Sequence, residues 1–220
     1  MLNIYFVSFT LGMLVFCGVL TLVISAIQRR KLPVKPVKNI KPINPQDTEK
    51  LIKLVALLSH DDTKLLKAIA LHGEGNFSLF VEIAKQIVPE DLICNLPDEL
   101  AADDTKSAAR ELLWHLDYIA LLDWKDTFEE LLFSAQKSLK LNGIDPSIFD
   151  DIPNQGELYA PQMFEAMEAR LPEGYALGFW DFFGDCYPII IASKLNLETA
   201  EKLGKELDIP IYSTWRNILI

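Results

Sequence analysis

A chain of 220 residues, half of them hydrophobic and 24% charged, is long enough to bury one sizeable core. Its formal charge of −10 argues against a nucleic-acid partner, because phosphates are neutralised by Lys and Arg. Three cysteines, Cys17, Cys94 and Cys186, make neither a disulfide framework nor a zinc site, and they fit reduced thiols in a cytosolic compartment.

The first expected element is Ile4 to Ile27, an apolar run of 24 residues without a charge. At about 1.5 Å per residue it reaches roughly 36 Å, enough to cross a hydrocarbon core of about 30 Å. A cleaved signal peptide would carry basic residues before such a run and a small-residue cleavage site after it. Here the cations follow, so residues 1–28 read as a retained anchor held in the lipid bilayer through residues 4–27. Arg29, Arg30, Lys31, Lys35, Lys38 and Lys41 come directly afterwards, which favours a single-pass protein with its C-terminal part in the cytoplasm, at a bacterial inner membrane. Ser8 and Gly12, and Thr21 and Ser25, have a spacing that lets helices approach closely; it leaves the oligomeric state open.

Residues 29–46 contain Pro33, Pro36, Pro42 and Pro45, which exclude a continuing helix and predict an extended basic stalk. All 31 Asp and Glu lie from Asp47 onward, against the remaining 15 Lys and Arg. Residues 47–220 thus form an acidic globular domain of about −16, which repels anionic surfaces and attracts a basic partner.

Within that domain the periodicity predicts an α+β fold, helical over 47–121 and mixed over 122–220. Leu51, Leu54, Val55 and Leu58 mark a first helix, and Leu65, Leu66, Ile69 and Ala70 a second behind the N-cap candidate Asp62. Phe77, Phe80, Val81, Ala84 and Ile87 mark a third, followed by a loop around Pro89 and Pro97. A fourth starts near Lys106 and places Ala109, Leu112, Leu113, Leu116 and Ala120 on one face. Ala120 to Trp124 either ends that helix or forms a short strand. Asp126 to Glu129 resembles a capping box, and its helix stops at Asn142-Gly143. Asp150 to Gly156 reads as loop, and Pro161 suits the first turn of another helix, ended at Leu171-Pro172. Residues 175–182 and 186–192 predict an antiparallel hairpin, with Gly184-Asp185 at the turn and Pro188 suggesting an edge or a bulge. Asn196 is the expected cap of the last helix, and Ile209 to Tyr212 a final short strand.

No catalytic motif, metal-ligand set or cofactor signature is legible. His60-Asp61-Asp62 fits a helix start better than a metal site. His72 and His115 carry no motif and read as ordinary surface or satisfied core residues. Asp181 and Asp185 flank the expected hairpin turn, and Asp150, Asp151 and Glu157 lie in the loop before it. Such carboxylates serve turns, a partner surface, or acid–base and cation chemistry, depending on geometry. The aromatics Tyr175, Phe179, Trp180, Phe182, Phe183, Tyr187 and Trp215 crowd the same part; beside acids, Trp180 is a candidate anchor for a partner.

Two stretches carry a likeness. One is Leu122-Asp123-Trp124-Lys125 leading into an amphipathic helix. The other runs from Gly174-Tyr175-Ala176-Leu177 through Gly184-Asp185-Cys186-Tyr187 to Leu207-Asp208-Ile209-Pro210-Ile211. Over residues 105–215 they resemble an uncharacterised bacterial domain family similar to small acidic immunity proteins of polymorphic toxin systems. The resemblance implies a non-enzymatic binding protein that neutralises a basic toxin. Asp150, Asp151, Glu157, Trp180, Asp181 and Asp185 are the partner-binding residues expected from their acids and aromatics. A carboxylate-dependent hydrolase and a membrane-complex scaffold or assembly factor are the alternatives.

Overall fold

A computed structural model describes residues 43–123, 127–153, 160–181 and 186–218. The expected anchor, most of the stalk, Glu157 and the Gly184-Asp185 turn lie outside the described residues. Among the described residues no helix is long and apolar enough to cross a membrane.

Helix α1 spans Pro45–Ser59. Pro45, assigned above to the stalk, is instead its first residue: a missing N–H costs nothing in a first turn, and the Asn44 side chain accepts from the Gln46 N–H. The helix closes on His60 at φ 53, and Asp61 follows at φ 60. Asp62 then caps α2, Thr63–Gly73, accepting from the Lys64 and Leu65 N–H groups at 3.0 Å each. Helix α3 covers Phe77–Ala84.

The expected loop around Pro97 holds a short helix, α4, Leu96–Leu100. Pro97 fits because it stands in the first turn, and it is buried. Asp104 caps α5, Thr105–His115, through the Lys106 and Ser107 N–H groups. Residues beyond it leave the helix: Asp117 sits at φ 62, and Ala120–Asp123 is strand β1.

Helix α6, Phe128–Leu141, does open with a capping box, one residue later than the sequence suggested. Thr127 takes the Glu130 N–H while Glu130 takes the Thr127 N–H, because both Asp126/Glu129 and Thr127/Glu130 have the required spacing. A short 3-10 turn, Pro146–Phe149, precedes α7, Ala160–Glu168. Strands β2, Tyr175–Trp180, and β3, Cys186–Ser193, lead into α8, Lys194–Leu207, and β4, Ile211–Tyr212. The cap of α8 is Ser193 rather than Asn196, whose N–H is the donor to Ser193.

The four strands form one antiparallel sheet in the order β1-β3-β2-β4. Pro188 therefore lies in a central strand, not at an edge. It is accommodated because the β2–β3 register ends at Phe179 opposite Ile189, so β1 alone flanks β3 at Pro188, through Leu121. Both sheet faces are covered, so β2 and β3 are buried almost continuously. Ala176, Trp180, Ile190 and Ala192 join a core built on α1, α2, α5 and α8. Leu177, Ile189 and Ile191 join a second core with Ala135, Leu139, Phe149, Phe164 and Trp215. The alternation of side chains along a strand thus divides the interior in two. Gly178 permits the tight fit: a Cβ there would stand 2.5 Å from Leu197 Cδ2 and 3.0 Å from the Tyr212 carbonyl oxygen.

Candidate functional site

The residues expected at the site occupy several environments. Asp150 follows the 3-10 turn, is exposed and accepts from Gln136 Nε2 at 2.8 Å. Asp151 accepts from Arg170 Nε at 2.7 Å, and that guanidinium holds its carboxyl below the ordinary range. Asp181 leaves the end of β2 half-buried, and its N–H donates to the Pro210 carbonyl at 2.8 Å. Trp180 is only 3% exposed. Its ring belongs to the first core, which covers that face of the sheet, so it is not an aromatic anchor at the surface. Glu157 and Asp185 fall outside the described residues. Arg170 and Gln136 thus engage two of these acids within the mixed half itself.

A denser run of acids lies elsewhere. Between Glu74 and Asp104 the chain carries Glu74, Glu82, Glu90, Asp91, Asp98, Glu99, Asp103 and Asp104, all exposed, against one cation, Lys85. Lys85 reaches Asp98 at 3.5 Å and so ties α3 to α4, while Asp104 is partly used as a cap. The sequence reading weighed charge over the whole head and missed this segment; a running count of charge would have found it.

Beneath the segment lies His72, fully buried. Nε2 is 3.0 Å from the Leu100 carbonyl oxygen and Nδ1 is 3.1 Å from Thr105 Oγ1. A carbonyl only accepts, so Nε2 carries the proton and Nδ1 receives the Thr105 hydroxyl. Phe77 and Phe80 stand nearly perpendicular to the ring, at 5.0 and 4.7 Å between centroids. Burial pushes the imidazole below its ordinary pKa, partly opposed by the Leu100 carbonyl and by Asp104 and Asp103. The position was legible: Leu65, Ile69 and His72 share one stripe of α2 at spacings of four and three.

Other polar features are committed to the fold. Tyr118 donates to the second oxygen of the cap Asp62, and burial with that carboxylate pushes the phenol up to about 12. His115 stacks on Trp114, and burial lowers its pKa too. A groove of about 620 Å³ runs between α1 and α8, lined among others by Lys53, His60, Asn196 and Thr199. Three of its donors are already engaged: Lys53 with Glu49, Asn196 with the Leu57 carbonyl and Thr199 with the Leu195 carbonyl. Among the described residues no three His, Cys, Asp or Glu side chains are grouped to hold a metal ion.

Residues 50–215 match the family profile described as Domain of unknown function (DUF6630). The chain belongs to the DUF6630 family. No curated protein and no solved structure matches it. The DUF6630 region begins within α1 and ends at Trp215, so it takes in the helical half as well as residues 105–215 that carried the likeness above. Both cores, His72 and the whole acidic segment therefore lie inside the DUF6630 domain.

Proposed function

We propose that this protein is a membrane-tethered binding protein whose acidic DUF6630 head captures a basic protein. The observation that carries the reading is the exposed segment from Glu74 to Asp104, with eight carboxylates against Lys85. Clustered exposed acids steer a cationic partner into encounter and raise its association rate. The charge-free run 4–27 and the six cations behind it support a single-pass anchor with a cytoplasmic head. The resemblance to immunity proteins favours a toxin as the partner, and the tether would concentrate the head beside the membrane.

The test is binding of the full chain, in mild detergent, to the products of adjacent genes, with cytochrome c as a generic basic control. A specific partner should associate quickly at 50 mM salt and more slowly at 300 mM. Replacing Glu90, Asp91, Glu99 and Asp103 by their amides should slow that association. Equal binding of the control, or association unchanged by the four replacements, would sink the proposal.

A further inference from the structure

The acidic segment is held down by an unusual clasp. Leu100 and Thr105 bracket the run Ala101–Asp104, exposed from Ala102 onward, and both are fastened to the same buried imidazole. The clasp is fully satisfied only by a neutral ring. Nδ1 must be bare to receive the Thr105 hydroxyl, and a second ring proton would turn that acceptor into a donor. The Thr105 hydroxyl proton would then have to find another acceptor, although Thr105 is itself only 4% exposed. An imidazolium at this fully buried position, packed against Phe77 and Phe80, would also be stripped of water.

We propose that protonation of His72 releases the acidic segment Leu96–Thr105 from the helical core, making the head's acidic surface responsive to pH. This rests on the binding reading above only in giving the segment a role; the release itself does not need a partner. The surroundings of the ring set the direction. Helix α3 presents Phe77 and Phe80, α4 presents the Leu100 carbonyl and α5 presents Thr105. Thr48 of α1 packs beside the adjacent Gly73. Asp103 and Asp104 are the charged groups whose fields reach the ring, and they favour the cation without overcoming burial. Once the segment lifts, the ring is hydrated and takes its proton at the ordinary imidazole value. The open form therefore binds more protons than the closed form, and falling pH favours it. The closed state holds above the ordinary imidazole range and weakens progressively below it.

Amide hydrogen exchange of the full chain in mild detergent, between pH 7.5 and 5.5, tests this without a partner. After correction for intrinsic exchange, amides of 98–106 should open up to about tenfold more per pH unit below the ordinary imidazole value. Amides of 51–58 should keep their protection. The His115→Gln variant should behave as the parent, and His72→Gln should remove the pH dependence. Should His72→Gln fail to fold, the parent protein decides: the His72 ring-proton resonance must titrate with the midpoint of segment opening. A segment that ignores pH, an undiminished response in His72→Gln, or a His72 titration displaced from the opening would each overturn the proposal. Exchange and partner binding are read separately, so failure of one leaves the other standing.

Discussion

The two halves of the head handle their carboxylates differently. In the mixed half several acids are matched locally: Asp151 with Arg170, Glu168 with Arg216 and with the Trp215 indole, and Glu130 with its own helix start. In the helical half the stretch from Glu74 to Asp104 carries eight acids and one cation, Lys85. Beneath these surfaces the interiors are alike, each a closed apolar cluster against one face of the same sheet. Stability thus comes from similar physics in both halves, and the difference is confined to the outer layer. A surface that leaves charge uncompensated weakens the compact state slightly and strengthens long-range attraction, which suits recognition better than support.

That comparison breaks most readily in the cores. Phe80 and Phe164 are essentially buried, one in each cluster. Phe80→Ala and Phe164→Ala should each lower stability by about 3–5 kcal/mol in urea unfolding, because each leaves a cavity. The shared sheet should keep both transitions single; a two-step curve in either variant would show that the halves unfold separately.

Gly178→Ala tests the sheet that joins them. The added methyl meets Leu197 and the Tyr212 carbonyl, so a loss of about 1–3 kcal/mol is expected in the same assay. A neutral result would mean that α8 can move off the sheet. The surface contrast is sharpened by smaller changes. Thr127→Ala removes a matched cap and should cost about 1 kcal/mol by thermal unfolding. Glu90→Gln, Asp91→Asn and Glu99→Gln lie in the uncompensated segment and should each stay within about 0.5 kcal/mol. If they cost as much as the cap, the segment is structural and its charge is not spare.

Much of this architecture was legible. The apolar stripes of α1, α2 and α3 are unbroken at helical spacing, and their cores follow. Helix α4 escaped because five residues are too few to show a period and Pro97 argued for a loop. Caps slipped where two residues competed: Thr127 beside Asp126, and Ser193 three before Asn196. Trp180, expected as a candidate anchor beside acids, is buried, since a strand covered on both sides has no solvent face. The exposed acids of 74–104 were present as letters, but only the fold shows that the end of this stretch is fastened through Leu100 and Thr105 to a buried imidazole.

Helix α1 begins at Pro45, directly after its cap Asn44. It lies antiparallel to α8: Lys50 bonds Glu206 near one end, and the Leu57 carbonyl takes Asn196 Nδ2 near the other. Tension entering at Asn44 would therefore pull α1 lengthwise along α8 and load these contacts in shear rather than peeling them one by one. Shear spreads force over many contacts at once, so a head tugged through its first residues would resist better than one held by a frayed end.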